Sequence, residues 1–373
     1  MFGIHPGGGA VSAVAAIPRS PAEVTSAWLT TVLSKTDTSV EIEHVAVTPV
    51  GTGQTGATYR VTARYAHNPA GLPGQFIIKL PSQDDTVRDR VALGYRSECA
   101  FYTSVATRVA VPVPECFHCE ITDDAFNYAL LLADQSPAAQ GDQIGGCGPA
   151  DASLAARAIA GLHGPTWCDP SWRDFHGLAF TLPDEAAIRG LGDIAKMSAD
   201  MTLARLGADL DPIDRETLTA AMGSVTDWLL AEPERFALLH GDYRLDNLLF
   251  DVDHTAVSVV DWQTLGVGLP ARDLAYFTGT SLDPELRAQV EQGLVEEYRA
   301  ALATHGVTDY SAETCWQDYR FGMLQALLIP TLGCAFAVDT ERGNDMFVAM
   351  LSRGARAVRE LGTLDLIPAR TKE

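Results

Sequence analysis

The stretch Leu238-Leu239-His240-Gly241-Asp242-Tyr243-Arg244-Leu245-Asp246-Asn247-Leu248-Leu249-Phe250 allows few local structures. Two apolar runs, each suited to a buried strand, flank a polar loop. A further apolar run, Val257-Ser258-Val259-Val260, then delivers Asp261 and Trp262. Asp and Asn are common turn residues between strands, which is the purely structural reading of the pattern. The chemical reading is more specific. A base, a neutral metal ligand and an anionic metal ligand are what phosphoryl transfer from a metal-bound nucleotide needs. Asp242 would orient or deprotonate an acceptor hydroxyl, while Asn247 and Asp261 would hold Mg²⁺ against the phosphates.

The order and spacing match the His-Arg-Asp loop, its Asn and the later Asp-Phe-Gly of kinases. Here Gly241 stands in place of the Arg and Trp262 in place of the Phe. In this form, His-Gly-Asp-x-x-x-x-Asn followed by Val-Asp-Trp, the sequence resembles the aminoglycoside phosphotransferase family, to which choline-kinase-type enzymes are related. The resemblance covers about residues 45–345. It implies an α+β, bilobal protein-kinase-like fold, with an antiparallel sheet plus helix in the N-lobe and a mainly helical C-lobe.

The length of 373 residues agrees with two lobes rather than one core. The expected division is a loose extension over 1–20, a nucleotide-binding N-lobe over 21–135, and a catalytic and acceptor-binding C-lobe over 136–373. No Lys or Arg precedes Arg19, so the start does not read as a secretory signal, and no apolar run approaches a membrane span. A cytoplasmic protein is expected. A net charge of −21 argues against nucleic acid and suits a neutral or cationic acceptor as well as it suits plain solubility. Seven cysteines make no disulfide framework, and Cys116-Phe117-His118-Cys119 lacks a second ligand pair at zinc spacing.

Ser20-Pro21-Ala22-Glu23 reads as a helix start, with Val24, Trp28, Leu29 and Val32 at helical spacing. Strands are expected over 45–80. Between them lies Gly51-Thr52-Gly53-Gln54-Thr55-Gly56, a turn whose backbone N–H groups could approach a triphosphate; it lacks the Lys-Ser/Thr of a P-loop. Gly51, Gly53, Gln54, Thr55 and Gly56 are therefore candidate nucleotide contacts.

Lys79, one of only four lysines, interrupts the apolar Phe76-Ile77-Ile78-Lys79-Leu80. An ammonium there needs a partner or a route to solvent. The kinase pattern pairs such a lysine with nucleotide phosphates and with a helix glutamate, for which Glu98 is the candidate. The resemblance also implies that the chain after Tyr128-Ala129-Leu130-Leu131-Leu132 meets the adenine edge, through the carbonyl of Ala133 and the N–H of Gln135. The acid usual at the first of these positions is absent here.

Helices are expected from Asp151 to His163-Gly164-Pro165, over 184–206 and 214–231, and around 284–304, 311–337 and 340–361. His163 reads as structural. Asp273, in Pro270-Ala271-Arg272-Asp273-Leu274-Ala275, is expected to open a helix and brace the catalytic loop. The expected activity is ATP-dependent phosphorylation of a small hydroxylated molecule, an aminoglycoside being the acceptor class that the family name implies, with GTP left open as donor. The alternative is a nucleotide-binding pseudokinase-like module without chemistry.

Overall fold

The computed structural model describes residues 16–34, 38–50 and 57–368. The chain packs as two compact units, one made of residues 1–92 and 115–134, the other of 93–114 and 135–373. Residues 93–114, expected in the first lobe, thus pack with the second unit. Backbone bonds explain this: Ala110 N–H donates to Gly161 O (2.8 Å) and Val259 N–H to Pro112 O (2.8 Å).

In the first unit, α1 (Ser26–Leu33) precedes the strands β1 (Glu41–Pro49), β2 (Ala57–His67), β3 (Gln75–Leu80), β4 (Cys116–Ile121) and β5 (Tyr128–Ala133). They form one antiparallel sheet in the order β1-β2-β3-β5-β4. Ser20 precedes only a 3₁₀ turn, Pro21–Glu23, and the α-helix starts later, where Thr25 accepts from the Trp28 N–H. Strand alternation decides what each face of β3 carries. Phe76, Ile78 and Leu80 enter a core with Trp28, Leu29 and Leu33 of α1, whereas Ile77 and Lys79 occupy the other face. Lys79 is half-buried and in register with Thr58 and Leu130. The glycine-rich turn 51–56 lies outside the described residues.

Helix α2 (Asp85–Ala100) begins in the first unit and ends in the second. The second unit continues with β6 (Ala139–Gln140), α3 (Pro149–Thr166), α4 (Glu185–Leu206), α5 (Pro212–Gly223) and α6 (Val225–Leu230). Then come β7 (Ala237–Leu239), β8 (Leu248–Phe250), β9 (Val257–Val259), β10 (Gly266–Gly268) and α7 (Ala271–Ser281). Helices α8 (Pro284–Thr304), α9 (Ala312–Gly322), α10 (Gln325–Phe336) and α11 (Glu341–Glu360) complete it. Two of the expected helices are each divided in two, 214–231 at Ser224 and 311–337 between Gly322 and Gln325. Pro165 does not stop α3 but sits in its last turn. No helix among the described residues is long and apolar enough to cross a membrane.

The short strands make two small sheets, β7 with β10 and β6-β8-β9, so the two apolar runs around the polar loop belong to different sheets. The loop is consequently held at both ends by different partners. At its entrance, Leu238 N–H donates to Thr166 Oγ1 at the end of α3 (3.1 Å). Amphipathic α11 buries Met346, Phe347, Met350, Leu351, Ala355 and Val358, a stripe at helical spacing.

Gly161 shows how closely α3 is approached. A Cβ there would lie 2.7 Å from both the Ala110 carbonyl carbon and the Val111 nitrogen. Gly→Ala in a helix ordinarily gains up to about 1 kcal/mol, but backbone atoms cannot swing aside as a side chain can. Overpacking should win, and Gly161→Ala should lose about 1–3 kcal/mol in denaturant unfolding. Equal or increased stability would show that the 110–111 segment yields freely.

Candidate active site

The loop after β7 is shaped from its backbone outward. Gly241 has φ +82°, and a Cβ there would come within 2.4 Å of the Thr264 carbonyl oxygen, so only glycine fits. Thr264 Oγ1 donates to His240 O (2.7 Å). The His240 ring bonds Val260 O through Nε2 (3.0 Å) and accepts the Asp242 N–H at Nδ1 (3.3 Å). Since a carbonyl only accepts and an amide N–H only donates, the ring proton is assigned to Nε2.

Asp273, in the first turn of α7, is fully buried beneath this loop. Its Oδ2 accepts the His240 N–H (2.7 Å) and its Oδ1 the Gly241 N–H (3.0 Å). His163 of α3 lies 3.2 Å away through Nε2, and its Nδ1 meets the Tyr298 hydroxyl at 2.7 Å. Burial pushes the Asp273 carboxyl up, yet bonds and charge from His163 and His240 outweigh it, leaving the pKa below the usual carboxylate range. Both residues have the structural roles expected of them.

Asp242 itself is anchored on both oxygens. Tyr276 Oη donates to Oδ1 (2.7 Å), while Arg244 Nε (3.1 Å) and Asn247 Nδ2 (3.0 Å) donate to Oδ2. Arg244 also donates through Nη1 to Asp246 Oδ2 (2.7 Å). Arg342 of α11 lies 3.5 Å from the other Asp246 oxygen. Burial opposes the Arg244 charge, but Asp242, Tyr276 and Asp246 together raise its pKa above the ordinary value. Burial, then the Asp242 charge, hold the Tyr276 phenol well above its ordinary value, so it remains a donor.

Asn247 commits Nδ2 to the carbonyl (2.8 Å) and carboxylate of Asp242. Its amide oxygen accepts no hydrogen bond among the described residues, which suits it to a cation. The β8–β9 pairing ends at Leu248↔Val259, and Val260 N–H donates to Asn247 O (3.0 Å), which sets Asp261 one residue beyond. Asp261 has φ +67°, ψ +70°, a left-handed conformation unusual for a non-glycine residue and common at functional sites. Buried Trp262 follows and stacks on Phe101, with centroids 3.6 Å apart. Glu98 is fully buried in α2 and accepts a 3.4 Å bond from Gln263 Nε2.

The structure therefore gathers Asp242 and Asn247 directly and carries Asp261 on the adjoining strand end. Lys79 and Ala133 belong to the first unit, Glu98 and Gln135 to the second. The Ala133 N–H is taken by Glu115 O (2.8 Å), and the Gln135 side chain accepts from Ser258 (3.1 Å). Cys116 and Cys119 form no disulfide; burial pushes the Cys116 thiol up to about 12, and no group of three metal-ligating side chains occurs among the described residues. Sequence reasoning missed Arg244, Asp246 and Tyr276. Tyr276 was within reach of it, being one helical turn beyond Asp273 and so on the same face of α7.

A depressed carboxyl pKa makes Asp273 a pH-dependent stabiliser. Its contribution is complete above the unfolded carboxylate value, near about 4, and is lost as pH falls through the lower folded value. Asp273→Asn should cost about 1.5–3 kcal/mol at neutral pH, the scale of hydrogen bonds to a charged group. Its deficit relative to wild type should shrink as pH falls below about 4. Urea unfolding across pH would show this, and a pH-independent deficit would rule it out.

The model of the phosphotransferase enzyme family matches residues 46–307. Among curated proteins, acyl-CoA dehydrogenase family member 11 of Pongo abelii is 31% identical over 87 residues, 22% of this chain and 11% of that protein. Member 10 of Mus musculus is 42% identical over 60 residues, 15% of this chain and 6% of that protein. The chain thus spans about a tenth of the length of the curated relatives it matches. Choline kinase from Cryptosporidium parvum superposes with a TM-score of 0.54 at 11% identity, covering 87% of this chain and 92% of that one. Ethanolamine kinase from Plasmodium vivax gives 0.50 at 12% identity, with 83% and 82% covered. The GDP and kanamycin complex of APH(2″)-IIIa gives 0.50 at 15% identity, with 87% and 95% covered. The chain has the protein-kinase-like fold and belongs to the phosphotransferase enzyme family.

Proposed function

We propose that the chain is an ATP-dependent small-molecule kinase that moves the γ-phosphoryl group to a hydroxyl of a compact, polyhydroxylated or amino-alcohol acceptor. The observation that carries this reading is the anchoring of Asp242. A carboxylate fixed on both oxygens, beside Asn247 and close in sequence to Asp261, is suited to hold an acceptor hydroxyl in line for attack. The kanamycin bound in one similar structure, and the choline and ethanolamine after which two others are named, are small hydroxylated molecules, which supports the same class here. An aminoglycoside is the finer proposal.

Roles follow residue by residue. Asp242 orients the acceptor and takes its proton. The amide oxygen of Asn247 and the carboxylate of Asp261 fit Mg²⁺, a hard cation bound through few protein oxygens and the substrate phosphates. When bound, that ion would neutralise charge on the triphosphate. Lys79 and the segment 51–56 are assigned to the phosphates, Glu98 to aiming Lys79, and the Ala133 carbonyl and Gln135 N–H to adenine. GDP in the similar kanamycin complex leaves GTP as a second donor to test.

The direct experiment is an ADP-release screen with Mg-ATP across aminoglycosides, amino alcohols, sugars, macrolides and sterol-like alcohols. At least one class should accelerate release, and Asp242→Asn should reduce that turnover by about 10²–10⁴-fold while ADP still binds. Near-wild-type turnover in Asp242→Asn would reject the assignment.

A second test separates the metal ligands. Asp261→Ala should weaken Mg²⁺-dependent nucleotide binding more than Asn247→Ala, because a carboxylate is a charged ligand and an amide is not. Magnesium titrations of ADP affinity that overlay for both variants and wild type would remove both residues from the metal site.

A further inference from the structure

The two oxygens of Asp242 are not equivalent. A carboxylate oxygen offers about two lone-pair sites. Oδ2 accepts two hydrogen bonds, from Arg244 Nε and Asn247 Nδ2, and is filled. Oδ1 accepts one among the described residues, from Tyr276 Oη at 2.7 Å, and keeps one site. Tyr276 is almost wholly buried and projects from α7, the helix whose first turn holds the loop backbone through Asp273.

We propose that Oδ1 of Asp242 is the atom that receives the acceptor hydroxyl, and that Tyr276 is the positioning residue that fixes that oxygen and keeps its remaining lone pair turned to the acceptor. The inference rests on the kinase reading above. As the acceptor oxygen bonds to the γ-phosphorus of the nucleoside triphosphate, the bond from that phosphorus to the bridging oxygen breaks. Its electron pair leaves with the nucleoside diphosphate. The hydroxyl proton passes to Oδ1 and later to solvent. Tyr276 keeps its own proton throughout, in agreement with a phenol whose pKa burial and the neighbouring carboxylate raise.

Arg244 has a different part. Its Nε bond fills Oδ2, and its Nη1 bond to Asp246 holds the guanidinium in place. With Oδ2 filled, a hydroxyl bound there would have to displace a charge-assisted bond, whereas Oδ1 accepts it without loss. That difference selects one oxygen.

The test uses the full chain with Mg-ATP and water as the acceptor hydroxyl, so it needs no identified substrate. ADP release, ADP affinity and melting temperature are measured for wild type, Asp242→Asn, Tyr276→Phe and Tyr319→Phe. Tyr276→Phe keeps the ring and removes only the donor to Oδ1. Tyr319→Phe removes a fully buried hydroxyl that bonds Glu291 and Thr278 outside the site, and sets the structural background. Tyr276→Phe should lower kcat by about ten- to a hundredfold, the scale of a hydrogen bond to a charged group. Its KM for ATP, ADP affinity and melting temperature should move no more than those of Tyr319→Phe. Tyr276→Phe turnover within twofold of wild type, with Asp242→Asn inactive, would overturn the inference and leave the kinase reading standing. Losses in affinity and melting temperature well beyond Tyr319→Phe, in step with turnover, would make Tyr276 structural and also overturn it. An active Asp242→Asn protein would remove the kinase reading itself.

Discussion

A single buried carboxylate, Asp273, sets the geometry on which the site depends. Desolvating a charge costs several kcal/mol unless it is fully engaged, and here it is engaged on every side. Two backbone N–H groups of the loop and a histidine of α3 meet it. The N-terminal end of a helix adds a favourable field. Because the N–H groups belong to His240 and Gly241, satisfying Asp273 and shaping the loop are the same event. Gly241 supplies the left-handed turn that lets both face one carboxylate.

Helix α7 then acts twice. Asp273 holds the backbone immediately before Asp242, and Tyr276, one turn on, holds the Asp242 side chain. A carboxylate fixed at both its main chain and its side chain has little freedom to drift, and under the proposed function this matters because catalysis by positioning is sensitive to displacements of about 1 Å. The strand ends supply the rest. Pairing of β8 with β9 sets Asn247 and Val260 side by side, so that Asp261 arrives next to the same loop without a long-range constraint of its own.

Much of this was legible in the sequence, because chemistry concentrated in one short stretch is visible without a fold. That Asp242 and Asn247 share one loop, that Asp261 follows the next strand and that Asp273 braces the loop backbone could be read from order and spacing. The sheet-plus-helix first unit and the helical second unit followed from the family resemblance, while periodicity located individual helices and strands. What could not be read was set by packing at a distance. Residues 93–114 join the second unit through backbone bonds to Gly161 and Val259, partners far along the chain. Arg244 and Tyr276 look like an ordinary loop arginine and an ordinary helix tyrosine until the fold brings both to Asp242. The break of 311–337 between Gly322 and Gln325 has a similar origin. A Cβ at Gly322 would press on the backbone of Ala271 and Arg272, so that turn is shaped by the packing of α9 on α7 rather than by a local breaker.

Charge gives the last link between fold and chemistry. The chain carries a net −21, yet the reading brings a polyanionic triphosphate to a loop holding Asp242 and Asp246. The acidic surface matters little at this range, since exposed charges beyond about 10 Å are screened by salt. What matters is the local balance. Arg244 bridges Asp242 and Asp246, and Arg342 stands 3.5 Å from the far oxygen of Asp246. Two carboxylates therefore face two guanidinium groups, and the loop presents a nearly neutral face with directed lone pairs rather than a block of negative charge. Under the proposed function, phosphates could then approach, with Asp261, beyond the adjoining strand end, meeting them through a cation. The arginine that sequence reading passed over is thus what would make an acidic loop compatible with the anionic nucleotide of the proposed function.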